Sequence, residues 1–192
     1  MELYLLEVGA QCLGFGPLDE TLKAFPMKGP HAWDATHLKA RVPYLNSQPD
    51  ILDSRELPDF INIGHELIVS KRTKSLIEEA RVERTLRIIP TSIVNRTGTL
   101  LGEYFYIWSP SEHMVIDRNR ARLRYYAGSE AIAEVYEWAV MDDQIPQLDL
   151  FFSEAYRWIA TERLNRLFSD HRITGCSFTH IGRTDDCRAA EL

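Results

Sequence analysis

The strongest constraint in this chain is a pattern that occurs twice: a short apolar run, a hydroxyl residue, a helix-period stripe, and a strand. In the first copy Leu67, Ile68 and Val69 form the run. Ser70 follows as a helix N-cap, whose hydroxyl accepts from the backbone N–H groups that open a helix. Thr73, Leu76, Ile77 and Ala80 recur at helical spacing, with Lys71, Arg72, Lys74 and Glu78 turned to water. Leu86 to Val94 reads as the returning strand. At one constant spacing Ile68 matches Ile159, Ser70 matches Thr161, Arg72 matches Arg163, Leu76 matches Leu167 and Ile77 meets Phe168. In this second copy Leu164, Leu167, Phe168 and His171 give the stripe, Gly175 supplies a turn residue free to take positive φ, and Cys176 to Thr179 returns as a strand. The pattern predicts strand–helix–strand units over 58–94 and 149–182 within one domain spanning 1–192.

The remaining segments set the fold class. Residues 3 to 7 are apolar enough for an opening strand. Residues 8–57 are dense in breakers, among them Gly14, Gly16, Pro17, Pro26, Gly29, Pro30, Pro43 and Pro49, so this segment is expected to be irregular beyond a short helical turn near Leu18 to Ala24. The middle is β-rich. A turn at Asn95–Gly98 precedes the aromatic strand Glu103–Trp108, Pro110 ends that strand, and Met114–Ile116 reads as a short one. Arg118, Arg120, Arg122 and Arg124 alternate with other residues, which places them on one face of a strand. That face is an anion site or, as we prefer, a solvated or acid-paired surface. Ala131 to Met141 fits a strand or a short helix, and the strand is preferred. The expected fold is α+β: a mainly antiparallel or mixed sheet, drawn chiefly from residues 86–154, with two repeated capped helices packed on it.

Composition bounds function more loosely. An apolar fraction of 45% and a charged fraction of 26% are those of an ordinary folded domain. A net charge of −6 speaks against a nucleic-acid binder, which must neutralise phosphates, and suits a basic protein partner. No run approaches the roughly 20 apolar residues of a membrane span. Met1–Leu6 lacks the features of a secretory signal, so a cytoplasmic location is expected. Cys12, Cys176 and Cys187 show no metal-type spacing, and Cys176 is expected to face a core. His31, Asp34 and His37 read as loop residues before metal ligands. Gly14-Phe15-Gly16, followed by proline and acids, is a poor phosphate cradle. Ser109, Ser111, Glu112 and His113 cluster in sequence, but reactive triads are assembled in space, and a turn explains the cluster more simply. No catalytic, cofactor or metal residues are assigned. Between Arg124 and Arg157 there is no Lys or Arg, whereas Glu130, Glu134, Glu137, Asp142, Asp143, Asp149 and Glu154 are acidic. This block is a solvated face or a docking surface. As a docking surface it would consist of Glu130, Glu134, Glu137, Asp142 and Asp143, with Trp138 as an aromatic anchor.

Residues 55 to 182 also carry a resemblance. The order Leu57-Pro58-Asp59-Phe60, then Leu67-Ile68-Val69-Ser70-Lys71-Arg72 with Leu76-Ile77, an aromatic strand, Ile116-Asp117-Arg118 and a second helix motif resembles the bacterial immunity proteins of polymorphic toxin systems, in the eleventh immunity family. The chain departs from that family's usual pattern at Lys71, where an acidic residue follows the serine; Glu162 keeps it in the second copy. The resemblance implies a small cytoplasmic protein, encoded beside a toxin, that protects its producer by stoichiometric binding. Its partner would be a toxin domain of basic character, met here through an acidic surface. Two other classes compete: a small hydrolase using Asp, Glu and His groups, which needs a pocket of convergent polar residues, and a structural or adaptor domain with no toxin partner.

Overall fold

The computed structural model describes residues 1–8, 57–63, 66–94 and 100–183. The irregular 8–57 segment apart from its ends, the turn at Asn95–Gly98, His31, Asp34, His37, Gly14–Gly16, Cys12 and Cys187 lie outside the described residues. The fold is α+β. Among the described residues the strands are β1 (Glu2–Val8), β2 (Phe60–Ile63), β3 (Glu66–Ser70), β4 (Arg87–Val94), β5 (Leu100–Trp108), β6 (Arg122–Tyr125), β7 (Ile132–Glu137), β8 (Leu150–Phe152), β9 (Trp158–Thr161) and β10 (Cys176–Arg183). The helices are α1 (Lys71–Glu79), between β3 and β4, and α2 (Glu162–Asp170), between β9 and β10. None of the described helices is long and apolar enough to cross a membrane.

Two four-stranded antiparallel sheets, β2-β3-β5-β4 and β8-β9-β1-β10, have the same topology. In each, a hairpin (β2–β3 or β8–β9) runs straight into a helix and the chain returns as an edge strand (β4 or β10). The remaining inner strand has a different origin in the two: β5 follows β4 directly, while β1 comes from the start of the chain. The sheets therefore do not draw mainly on residues 86–154, because five strands lie before or after that window. Pro90 falls in β4 at a sheet edge, the kind of strand in which proline is tolerated.

The strands that enter the helices are buried on both faces, which is why they read as continuous apolar runs. Leu67 and Val69 face a core shared by both sheets and both helices. Ile68 joins Ile61, Tyr104 and Tyr106 on the opposite face. In the other sheet Trp158 and Ala160 face the shared core, while Ile159 packs with Leu3, Val115, Ile116 and Phe151. From α1 the shared core takes Leu76 and Ile77, with Thr73 also buried; from α2 it takes Leu164 and Phe168. Phe168 joins the two halves, its ring 5.5 Å from that of Phe60 and 5.8 Å from that of Phe178. Leu167 is only half-buried and His171 is an exposed C-cap residue, so the stripe of α2 is narrower than its sequence suggests.

Two aspartates lock the halves together. Asp59, just before β2, accepts from the Ser70 hydroxyl at 2.7 Å and from Arg72 Nη2 at 2.7 Å, both at the start of α1. It also accepts from the Thr174 N–H at 3.0 Å, in the segment that leaves α2. Asp149, just before β8, repeats the arrangement. Its carboxylate accepts from the Thr161 hydroxyl at 3.0 Å and Arg163 Nη1 at 2.6 Å at the start of α2, and from the Arg81 N–H at 2.9 Å after α1. Each carboxylate thus holds its own helix entrance and the exit of the other helix. Burial pushes both carboxyls up, but the donors outweigh it. Ser70, Thr174 and Arg72 hold Asp59 below the usual aspartate value, and Arg81, Thr161 and Arg163 do the same for Asp149. The caps differ in detail. Ser70 accepts from the Thr73 N–H at 3.3 Å, whereas Thr161 spends its hydroxyl on Asp149 and makes no side-chain cap bond.

Gly175 sits at this junction with φ +83°, and a Cβ there would stand 2.5 Å from the Phe60 carbonyl oxygen. Both the left-handed backbone and the close approach require glycine. Cys176 next to it packs partly buried against the shared core.

Candidate partner-binding surface

Between β5 and β8 the chain builds a separate layer over the outer face of β9 and β1. Val115, Ile116, Ile132 and Val140 bury themselves there, and Leu123, Val135 and Trp138 pack partly buried beside them. Short links replace the strand expected at Met114–Ile116: Ile116 bridges Val140, the Val115 carbonyl accepts from the Met141 N–H at 2.9 Å, and His113 bridges Ser153. Glu154, itself buried, anchors the segment by accepting from the Val115 N–H at 3.0 Å and the Ile116 N–H at 2.9 Å.

Strands β6 and β7 form a two-stranded hairpin on this layer. Leu123, Ile132 and Val135 turn inward and Arg122, Arg124, Glu134, Tyr136 and Glu137 stand exposed; two register shifts, between Arg122 and Leu123 and between Arg124 and Tyr125, break the strict alternation along β7. Only Arg122 and Arg124 of the four alternating arginines belong to the strand. Arg118 and Arg120 lie in the turn that starts at Asp117, whose carbonyl accepts from the Arg120 and Ala121 N–H groups.

The arginines meet the acids across the strands. Arg124 reaches Glu134 at 3.0 Å and Arg122 reaches Glu137 at 3.3 Å, so this arginine pair belongs to an acid-paired surface. Hydrogen bonding to Glu134, and then to the Tyr136 hydroxyl, holds Arg124 above its ordinary value and outweighs desolvation. Arg124, followed by Tyr136, holds Glu134 below its own. Arg122 lies over the Tyr136 ring, 5.3 Å from its centre, and Arg118 lies over Tyr125 at 5.9 Å.

The acidic block therefore divides into three groups. Asp149 and Glu154 are buried and structural. Glu134 and Glu137 are exposed and paired with arginines. The side chains of Glu130, in the hairpin turn, and of Asp142 and Asp143, in a 3-10 turn (Asp142–Gln144), are exposed and enter no ion pair among the described residues. Trp138 is half-buried against the layer beneath. Among the described residues the large aromatics that stand exposed are Tyr125 at 40%, Tyr126 at 55% and Tyr136 at 50%. Alternation alone does not reveal them: Tyr125 shares the parity of the inward Leu123 and pairs with the buried Ile132, and Tyr136 stands at a break in the register.

A second polar grouping bears on hydrolytic chemistry. Glu83 accepts from the Ser109 hydroxyl at 3.1 Å through one oxygen and contacts His113 Nε2 through the other. The carboxylate lies between serine and histidine, whereas a nucleophilic triad needs the histidine between serine and acid. Ser109 is buried and also accepts from the Ser111 N–H at 3.3 Å, which makes the grouping a turn brace. Among the described residues no cluster of three or more His, Cys, Asp or Glu side chains could hold a metal ion. The chain matches no protein-family model and no curated protein.

Proposed function

We propose that this chain is a cytoplasmic immunity protein, which neutralises a cognate bacterial toxin domain by binding it stoichiometrically. The observation that carries this reading is the β6–β7 hairpin. It exposes Tyr125, Tyr126 and Tyr136 among arginine–glutamate pairs on a layer fixed by its own buried face. Tyrosine and arginine on a rigid support are the side chains that concentrate binding energy at protein interfaces. The toxin as partner follows from the sequence resemblance. The acidic surface, Glu130, Glu134, Glu137, Asp142 and Asp143 beside Trp138, fits a basic partner, with the net negative charge resting on Asp142 and Asp143. The test is copurification of this chain with the product of the adjacent gene, together with growth of cells carrying that gene alone or with this one. A 1:1 complex and rescued growth are expected; neither complex nor rescue would discard the reading.

A further inference from the structure

The exposed tyrosines are held in place by the charges around them. Tyr136 has the Arg122 guanidinium over its ring, 5.3 Å from its centre. Tyr125 has Arg118 over its ring, and Arg118 in turn donates to the Glu130 carbonyl at 3.3 Å. A ring already braced loses little conformational freedom on docking. The charges are also sorted by position. From Asp117 to Glu137 the sequence carries four arginines and four acids and is formally neutral. Among the acids that enter no ion pair with another described residue, Glu130, already within that balance, lies in the turn closed by the Tyr126–Ala131 hydrogen bond, and Asp142 and Asp143 lie beyond the open end at Arg122–Glu137. A neutral aromatic strip with a negative end, at Asp142 and Asp143, complements a partner that has a neutral pocket and a basic margin.

We infer that a basic protein domain docks on the β6–β7 hairpin with Tyr136 as its anchor and with Asp142 and Asp143 as an electrostatic margin. This rests on the toxin-neutralising reading and assigns its surface. The two parts act on different rate constants. Aromatic anchors at the centre govern how long a complex lasts, while unpaired charges at the margin govern how fast partners meet.

The experiment is surface plasmon resonance of the full chain against the product of the adjacent gene, at low salt and at about 0.5 M salt. Tyr136→Ala should speed dissociation by about 30-fold or more at both salt concentrations, the size expected of a hot spot. Tyr136→Phe, which keeps the ring, should stay within about 3-fold of the parent. Asp142→Lys with Asp143→Lys should slow association by roughly 10-fold at low salt and have little effect at high salt. Tyr125→Ala is the second anchor variant if circular dichroism shows that Tyr136→Ala alters the fold. Binding by the parent with unchanged dissociation in both tyrosine variants overturns the surface assignment and leaves the immunity reading standing. No binding by the parent overturns both. A parent dimer that Tyr136→Ala dissolves gives this face to a second copy of the chain and also overturns the assignment.

Discussion

Asp149 is fully buried and gathers donors from Arg81, Thr161 and Arg163, and its local sequence marks it only by the apolar pair that follows it. Thr161 and Arg163 belong to its own strand–helix unit, but Arg81 lies 68 residues away, so that part of the network exists only once the two halves meet. Asp149→Ala should cost roughly 3 kcal/mol, because the Arg81 N–H and the Thr161 hydroxyl lose their acceptor together. Asp59→Ala should cost less, since its network is partly open to water. Chemical denaturation of the two variants checks the order. Both carboxyls lie below their ordinary value in the folded state, so their contribution is complete above about pH 4 and is lost as the pH falls through the lower folded values. Acid titration of the parent should show stability falling in that range, and Asp149→Asn should flatten the fall. An unchanged acid profile in Asp149→Asn would show that other groups set it. A signal for this pairing was present. Asp149 precedes Leu150 and Phe151 as Asp59 precedes Phe60 and Ile61, but one residue out of the register that the helices keep.

At the level of elements, the helices were the most legible part of the sequence. Ser70 caps α1, and Leu76 and Ile77 are buried where the 3.6-residue period places them. The period overstates α2, because a helix of this length turns only one narrow stripe to the core and water reaches the rest. Leu76→Ala and Leu164→Ala should each cost about 2–5 kcal/mol as core truncations, and Leu167→Ala distinctly less. Thermal unfolding distinguishes them, and equal losses at Leu164 and Leu167 would contradict the packing described. The arginine alternation was legible as a strand only where partners followed across the turn. Arg122 and Arg124 face Glu137 and Glu134, while Arg118 and Arg120 are taken up by the turn at Asp117.

For the whole molecule, the decisive feature is that two sheets of one topology share one core. Phe60, Leu67 and Ile107 of one sheet and Leu6, Leu150 and Trp158 of the other belong to the same buried cluster, and the two aspartates tie each helix exit to the opposite half. A core shared in this way cannot lose one half and keep the other, so unfolding should be a single transition. Far-ultraviolet dichroism and tryptophan fluorescence should give coincident midpoints in the parent and in Leu6→Ala. Separate midpoints would mean that the halves unfold independently. By itself the sequence determined the α+β class, the two helices, the Ser70 cap of the first and the strands leading into them, because apolar periodicity, caps and breakers act over a few neighbouring residues. Tertiary structure alone decided which strands pair, that β1 enters the second sheet as β5 enters the first, and which acids are buried, paired or open. Each of these depends on contacts between residues far apart in the chain, where local pattern exerts no force.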